Sequence, residues 1–482
     1  MKKLITWLLI AAMATSALAS CSGGDDASGT NETNATTTAP VETEAEDTRI
    51  YPDHLPDVTF DNYDFKIAHW MIDGWTLLQD IDSEGEDGDL INDAVYKRNS
   101  KIEEKYAVNI VGTYVAHDQL NTVYRQMATA GDTSYDIAYV RSHEAPDLAL
   151  NGFFLDLYQL ENIDWEMPWW DQQSIAELSL GGKLFMAESD ITLTDKGATG
   201  CMYFNTQLQK DYGVEDMYQL VLDEKWTWNK MLDIAKGVRE DLDGNSTMDD
   251  QDLWGVGMGD DITYMFLHAG NARYATKDEN DYPVISFNTE KNLEIAQRVL
   301  DIMYDDSVFF YGGNRTMFEE NRLLFLPEMI KNSSQMREIE DYGIIPQPKY
   351  DESQETYKAT VSIHHSSVLT IPKTIPEESY SRTGVILEAL SAESKYTLIN
   401  TYYDTVLRVK NVRDEKSVEM LDIIFNNRVY DLGEFYQFGD FNTEFLRANG
   451  RGHKDVVSLF AKNEKKIQKE IDSLIKIVED YE

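Results

Sequence analysis

An acidic stretch, residues 241–252, has the residue types and the spacing of a calcium-binding loop. Calcium takes about six to eight oxygen ligands, and one chain segment with oxygens at alternate positions can wrap around one ion. Thr247 would contribute its backbone carbonyl and the other residues their side chains. The loop positions 1, 3, 5, 7, 9 and 12 are occupied by Asp241, Asp243, Asn245, Thr247, Asp249 and Asp252. The pattern predicts a calcium site.

Two departures from the usual loop leave an alternative open. Ser246 occupies position 6, where glycine is usual, and position 12 carries Asp252 rather than glutamate. The alternative is a solvated acidic turn without an ion, in which water and salt weaken the repulsion between carboxylates. If calcium binds, we expect a structural role, because Leu253 and Trp254 lead the chain back into the core.

The charge of the whole chain limits its partners and cofactors. The 482 residues include 86 acidic and 43 basic side chains, which give a formal net charge of −43. Such a field repels phosphate backbones, so nucleic acid is not an expected partner. Two cysteines exclude a disulfide framework or a Cys-rich zinc site. Neither GxxxxGK[ST] nor GxGxxG occurs, so we expect no nucleotide or redox cofactor.

The first twenty residues are typical of a secretory signal. Lys2 and Lys3 precede a mostly apolar segment, residues 4–14, that is too short to span a membrane. The segment ends in Leu-Ala-Ser-Cys at residues 18–21, which resembles the bacterial lipobox. That resemblance implies that Cys21 is lipidated and becomes the mature N-terminus, anchored to the cell membrane on its extracytoplasmic side. An ordinary signal peptide followed by a coincidental cysteine is the alternative.

The segment after Cys21, up to residue 56, is predicted to be a disordered acidic tether. It is rich in Gly, Ser and Thr and has a net charge of −7, with Arg49 as its one basic residue. The remaining residues, 57–482, carry −38. The acidity therefore belongs mainly to the part of the chain that folds.

Strand and helix patterns alternate in the first folded segment. Strands are predicted over residues 64–70, 108–111 and 135–140, with a helix that begins at Asn92 and a second helix over residues 120–130. Strand–helix–strand repetition indicates parallel βαβ units in a doubly wound sheet, which binds ligands at the carboxyl ends of its strands. Trp70 and Arg141 lie at such ends.

Several short motifs follow one another in order along the chain. They are NDAVYKRN and IEEKY at residues 92–106, YDI and LNGFFLDL between residues 135 and 157, GGKLF at 181–185, YFN at 203–205, and WTWN at 226–229 without the usual preceding proline. Together with the lipobox, this order resembles the extracellular solute-binding proteins of ABC importers, in the sugar-type group called family 1.

The resemblance implies an α/β fold like that of the periplasmic binding proteins. Two doubly wound lobes would be joined by crossing hinge strands near residues 187–198 and 359–371, with solute held in the cleft and a helical C-terminus. The implied N-lobe comprises residues 57–188 and about 365–425, and the C-lobe comprises residues 189–364 and about 426–482. In alginate-binding relatives, the position of Asp250 closes the metal shell instead of that of Asp252.

Carbohydrate recognition needs flat apolar faces for the C–H surface of a sugar and polar groups for its hydroxyls. The candidates are the aromatic and polar side chains at predicted strand ends and crossings. They are Trp70, Trp75, Arg141, His143, Asp190, Tyr311, His364 and His365. The alternative is core or surface packing for the aromatic residues and a structural role for the two adjacent histidines.

The implied function is that of a monomeric, lipid-anchored receptor that closes on a carbohydrate, in the first place an oligosaccharide, and presents it to ABC permease subunits. An enzyme is not expected, because no motif singles out a pair of carboxylates as in a glycosidase. A sensor or adhesion lipoprotein of the same fold and, less favoured, a surface glycosidase stay open as alternatives. The acidity also leaves open a cationic solute such as a polyamine.

Overall fold

The computed structural model describes residues 49–71, 80–259, 261–336, 339, 342–408, 415–447 and 455–481. Cys21 and the signal peptide therefore lie outside the described residues. The compact unit that contains the described body runs from Ile50 to Glu482. Its start precedes the predicted end of the tether at residue 56, because the backbone N–H of Ile50 donates to the hydroxyl of Tyr396 at 2.9 Å and Leu55 packs against a hydrophobic core.

The described elements alternate along the chain. The strands are β1 (Tyr63–Met71), β2 (Val108–Ala116), β3 (Ile137–Arg141), β4 (Gly200–Asn205), β5 (Trp254–Met258), β6 (Ala275–Lys277), β7 (Pro283–Ile285), β8 (Phe309–Tyr311), β9 (Leu323–Met329), β10 (Tyr342–Ile345), β11 (Ala359–Thr360), β12 (Ser367–Thr370) and β13 (Arg428–Val429). The α-helices are α1 (Leu90–Tyr106), α2 (His117–Ala130), α3 (Ala145–Leu150), α4 (Gln172–Leu178), α5 (Thr194–Gly197), α6 (Thr206–Asp211), α7 (Met217–Leu222), α8 (Trp228–Lys236), α9 (Ile262–Ala269), α10 (Glu290–Met303), α11 (Arg315–Glu319), α12 (Tyr380–Ser394), α13 (Asn400–Arg408), α14 (Glu415–Phe425), α15 (Leu432–Phe435), α16 (Phe441–Leu446) and α17 (Val456–Glu479). Short 3-10 segments cover Leu157–Gln159, Ile330–Gln335, Glu377–Ser379 and Phe438–Asp440, and a π-helical segment covers Lys395–Ile399.

The first sheet has the strand order β12-β3-β1-β2. Strand β1 pairs in parallel with β2 and β3, with Ile67 opposite Gly112 and Ile137, whereas β12 is antiparallel to β3. The parallel βαβ units predicted for this segment are confirmed. Helix α1 begins earlier than predicted, because Asp89 rather than Asn92 caps it, accepting from the backbone N–H groups of Ile91 and Asn92.

The second sheet has the order β10-β4-β9-β5-β8. Strand β5 is parallel to β8 and β9, whereas β4 is antiparallel to β9 and β10. We call each sheet with the helices packed on it a lobe, the first lobe and the second lobe. The mixed α/β architecture agrees with the predicted two-lobed fold.

The chain ends in the helix α17, in agreement with the expected helical C-terminus, and this helix packs through an apolar stripe. Ile467, Ile471, Leu474 and Val478 are buried, and the helix contacts α10, α16 and β7. Helix α14, assigned by the sequence to the N-lobe, packs against β10 of the second sheet. The lobe boundaries stay a prediction.

Three connections run side by side between the lobes. The first connection, residues 188–199, contains helix α5 rather than a continuous strand, and the second connection comprises residues 359–366. They are joined where the N–H of Ser362 donates to the carbonyl of Ala198 at 3.0 Å. The third connection, residues 426–431, was not predicted; its strand β13 pairs in parallel with β11.

A buried network of charges, which we call the hinge charge network, links these connections. The Arg428 guanidinium donates to Asp195 at 2.7 Å and also contacts Asp171. The Lys196 ammonium lies 3.0 Å from Asp195 and 3.1 Å from Asp190. Burial opposes its charge, but these two carboxylates outweigh burial and raise the pKa of Lys196.

None of the helices in the described part of the chain combines the length and the apolar character that a membrane crossing requires.

The interior of α12 offers a test of the packing between this helix and the chain around residue 161. A Cβ at Gly384 would lie 1.8 Å from the carbonyl oxygen of Glu161. Alanine normally stabilises a helix interior relative to glycine by about 0.5–1 kcal/mol. Here we expect Gly384→Ala to lower the free energy of unfolding by about 1–3 kcal/mol, because the close approach must open. Urea denaturation measures the change.

The matched control is Gly85→Ala. A Cβ at Gly85 would meet no atom within 4 Å. We expect its free energy of unfolding to stay within about 0.5 kcal/mol of the parent value. A Gly384→Ala protein as stable as the control would show that α12 does not approach Glu161 this closely.

Candidate functional site

The ends of β3 and β9, one strand from each lobe, are both held to the connections. After β3, the N–H of His143 donates to the carbonyl of Ile363 in the second connection at 2.9 Å. After β9, the N–H of Ile330 donates to the carbonyl of Thr199 in the first connection at 3.0 Å. Open α/β sheets bind ligands at the carboxyl ends of their parallel strands. We take the side chains around these two strand ends as the candidate site.

Arg141, the last residue of β3, organises the first-lobe side of the site. Its Nε donates to the carbonyl of His364 at 2.8 Å, and one terminal nitrogen donates to the carboxylate of Glu144 at 2.8 Å. The guanidinium also lies 5.6 Å from the centre of the Trp70 ring, within the range of a cation–π contact. The Arg141 side chain is thereby locked between strand, loop and connection.

Two histidine rings, one after β3 and one in the second connection, meet beside this arginine. The rings of His143 and His364 have their centroids 4.6 Å apart at an interplanar angle of 32°. The amide of Gln437, which follows α15, donates to the carbonyl of His143 at 2.9 Å. The next histidine, His365, has its Nδ1 3.2 Å from the hydroxyl of Ser362. The second connection therefore presents two adjacent imidazoles.

Both imidazoles are neutral at physiological pH. Burial, together with the neighbouring side chains of His143 and Arg141, lowers the pKa of His364 to about 4. Burial, followed by the positive charge of Lys331, lowers the pKa of His365 to about 3. A neutral imidazole has one donor and one acceptor nitrogen, which suits hydroxyl groups that donate and accept.

The second-lobe side of the site is charged. The carboxylate of Glu328 accepts from the N–H of Met329 at 2.9 Å, and burial raises its pKa. Lys331 follows in the 3-10 segment, and Arg315 contacts the amide oxygen of Gln335. Acidic, basic and amide groups thus surround the end of β9.

The structure brings together several of the predicted site residues. Arg141 and His143 each contact His364, and His365 is the next residue in the chain. Trp70 lies under Arg141 but is only 1% exposed, so its ring is part of the first-lobe packing in this conformation. Its contact with a ligand stays a prediction.

The other predicted residues lie elsewhere. Asp190 belongs to the hinge charge network, where Lys196 and, at 3.8 Å, Lys395 neutralise it. Tyr311 ends the edge strand β8 of the second sheet and is 45% exposed. Trp75 lies outside the described residues.

Sequence reasoning missed several residues at this site. They are Glu144, Arg315, Glu328, Lys331 and Gln437. The strand-end rule that found Arg141 would have found Glu328 and Lys331, because they follow the apolar run Leu-Leu-Phe-Leu-Pro of β9. Gln437 carried no such signal, since only the tertiary fold brings the segment after α15 to His143.

The acidic loop at residues 241–252 is closed at its base by backbone pairing between Glu240 and Leu253 at 3.0 Å in both directions. One carboxylate oxygen each of Asp241, Asp243 and Asp252 lies within 4.8 Å of the others. Ser246 at position 6 has a φ of 68°. It therefore adopts the left-handed conformation for which glycine is favoured at that position.

The side chains of this loop are held by its own backbone. Asp241 accepts from Gly244 and Ser246 at 2.7 and 2.8 Å, and Asp252 accepts from Leu242 and Asp249 at 2.9 and 2.8 Å. The bond from Asp249 is the first of the backbone hydrogen bonds that lower the pKa of Asp252, so that the fully buried carboxyl is an anion. Oxygen donors of this kind fit a hard cation such as calcium.

Comparison with solved structures bears on the fold. An ABC substrate-binding protein, Lmo0181 from Listeria monocytogenes in complex with cycloalternan, aligns with a TM-score of 0.52 and 12% identity over 87% of this chain and 99% of its own. UspC of M. tuberculosis aligns with a TM-score of 0.56 and 12% identity over 84% of this chain and 100% of its own. The chain has the periplasmic-binding-protein fold.

A maltose/maltodextrin-binding domain, MalE from Bdellovibrio bacteriovorus bound to maltotriose, has the same fold, with a TM-score of 0.52 and 14% identity over 86% of this chain and 100% of that domain. The sequence matches no family model and no curated protein. The likeness to these binding proteins therefore lies in the periplasmic-binding-protein fold.

The neutral histidines at the site predict a pH dependence of stability. An unfolded histidine titrates near pH 6.5, whereas His364 and His365 do so at about 4 and about 3 in the folded protein. Between these values the unfolded chain binds more protons, so stability present above pH 6.5 is lost as the pH falls toward 4 and then 3. The double variant His364→Gln/His365→Gln should lack this loss.

Urea denaturation of both proteins between pH 4.5 and 7.5 measures the effect, because the carboxylate contributions cancel in the difference. The parent protein should lose stability relative to the variant as the pH falls. Parallel pH profiles would contradict the burial of neutral imidazoles at this site.

Proposed function

We propose that this chain is the extracytoplasmic solute-binding component of an ABC importer and that it binds a carbohydrate, in the first place an oligosaccharide, between its lobes. The observation that carries the proposal is that both lobes supply polar side chains to one site at the strand ends. Arg141 and His143 come from the first lobe, Lys331 from the second, and His364 and His365 from the connection between them. Solved proteins of this fold include those in complex with cycloalternan and maltotriose.

The chemistry of the site suits hydroxyl-rich ligands. Neutral imidazoles at His364 and His365 donate and accept, and the Gln437 amide and the Arg141 guanidinium have fixed orientations. A sugar that bridged the ends of β3 and β9 would stabilise the state in which the lobes are closest. Because the three connections run side by side, rotation about them would open and close the site. The closed, loaded protein would then meet the permease as a monomer.

The anchor and the location form a second part of the proposal. Lipidation at Cys21, which lies outside the described residues, would hold the protein at the extracytoplasmic face of the cell membrane. The acidic tether would connect Cys21 to the folded body and let the lobes meet solute away from the membrane surface.

A structural calcium ion at the loop of residues 241–252 forms a third part. Asp241, Asp243 and Asp252 would provide carboxylate oxygens, with Asn245, Asp249 and the carbonyl of Thr247 as further ligands. Their grouping favours Asp252 over Asp250, whose carboxylate accepts from the Gln251 amide at 3.1 Å. A divalent cation there would pin the loop that precedes β5.

Sugar binding is tested by the melting temperature of the protein with a panel of mono- and oligosaccharides. At least one sugar should raise it, because a ligand at one hundred times its Kd stabilises a folded protein by about 2.7 kcal/mol. His364→Ala should weaken that sugar's affinity about fivefold to tenfold, the worth of one hydrogen bond.

The matched control is His54→Ala, since the His54 ring contacts the carbonyl of Asn162 and the carboxylate of Glu388 on the first lobe. Its affinity should equal that of the parent. If no sugar in the panel raises the melting temperature but a peptide or polyamine does, carbohydrate binding is refuted.

Calcium binding is tested with a chelator. Removal of calcium should lower the melting temperature of the parent protein. Asp241→Asn should melt at the temperature of the calcium-free parent, whether or not the ion is present. Asp252→Asn should behave like Asp241→Asn, and Asp250→Asn like the parent. The control is Asp278→Asn, because Asp278 accepts from Asn280 and Tyr282 in another acidic turn. Equal melting temperatures of the parent with and without calcium would contradict the site.

A further inference from the structure

The ammonium group of Lys331 stands out among the charges of the site. Its side chain is half-buried, yet its nitrogen makes no hydrogen bond and no ion pair with any residue that the structure describes. The neighbouring acid, Glu328, already accepts from the backbone N–H of Met329, and burial raises the pKa of that carboxyl. A half-buried ammonium without a direct partner is costly, so a ligand that supplies one would gain affinity.

Lys331 lies just after β9 and packs against the first connection. A Cβ at Gly197, in the first connection, would lie 3.3 Å from the Cβ of Lys331, so the lysine stem packs along that connection. Its charge is felt by His365 of the second connection, whose pKa it lowers after burial. The lysine therefore lies against the first connection and close enough to the second for its charge to act on His365.

Among the described cations at this site, the two arginines have direct side-chain partners, whereas Lys331 has none. Arg141 forms an ion pair with Glu144, and Arg315 contacts the amide oxygen of Gln335. Burial and the positive charge of Arg315, against the pull of Glu328, lower the pKa of Lys331 to about 8. The ammonium still carries its proton at pH 7, and the histidines beside it are neutral.

A neutral sugar offers hydroxyl groups but no counter-charge for this ammonium. A carboxylate or sulfate offers a charge-assisted hydrogen bond, which is about twice as strong as a neutral one. We propose that the site binds an acidic saccharide and that Lys331 pairs with its carboxylate or sulfate group. This inference rests on the proposed carbohydrate-binding function and names the class of saccharide.

The test compares chemically matched ligands on the full protein by isothermal titration calorimetry. The probes are oligosaccharides of uronic acids, the same oligosaccharides after reduction of each carboxyl to a primary alcohol, and sulfated oligosaccharides. An acidic member should bind at least tenfold more tightly than its neutral counterpart. The uronate and sulfate arms distinguish the two sources of the negative charge.

Variants then assign the preference to one residue. Lys331→Met should bring the acidic and neutral affinities within about threefold of each other, whereas Lys331→Arg should keep the preference because it keeps the charge. Lys462→Met, on the exposed face of α17, is the matched control and should leave both affinities unchanged.

The outcomes separate this inference from the proposed function. Equal or tighter binding of the neutral sugars by the parent protein would overturn the acidic saccharide and leave carbohydrate binding in place. An acidic preference that survives in Lys331→Met would overturn the role of Lys331. If the protein binds none of the three probe classes and no other neutral sugar, both the inference and the proposed function are overturned.

Discussion

The buried ion pairs of Arg428 with Asp195 and Asp171 are the constraint on which the rest of the structure depends. They join the third connection to the first and to the first lobe, and Lys196 extends them to Asp190. Loss of one partner of such a pair costs about 3–5 kcal/mol, because the other charge stays buried without compensation. The three connections are therefore fixed against one another. The ends of β3 and β9 keep a defined geometry because they are bonded to connections that cannot slide independently.

The hinge charge network also decides which polar groups are left for a ligand. Asp190 lies in the first connection, where a sugar-binding carboxylate was predicted, but two lysines already neutralise it. Glu188 is fully buried beside this network, and burial raises the pKa of its carboxyl well above the usual range. The charges that hold the lobes together are thus distinct from those at the strand ends. Arg141 and Lys331, in contrast, lie at the ends of β3 and β9.

The sequence predicted the parts of this arrangement that depend on local patterns. Alternating strands and helices indicated the first sheet, and the strand-end rule found Arg141. The same rule proposed Trp70 as a ligand contact, with core packing as the alternative; its ring is buried beneath the Arg141 guanidinium, and contact with a ligand stays a prediction. The third connection was missed because β13 is only two residues long and is defined by its pairing with β11. Contacts from residues more than two hundred positions away, such as that of Gln437 to His143, leave no local pattern.

The net charge of the chain is a poor guide to its ligand, although it is its most conspicuous property. The body carries −38, yet salt screens exposed charges beyond about 8 Å at physiological ionic strength. Within that distance of Lys331, the neighbouring groups determine its electrostatic interaction with a ligand. Interactions between partly buried groups are screened much less. A half-buried ammonium beside neutral imidazoles can therefore attract an anion in a protein whose surface repels anions. The repulsion acts on the rate of approach, whereas the ammonium acts on the bound state, and the two effects are separable by their dependence on salt.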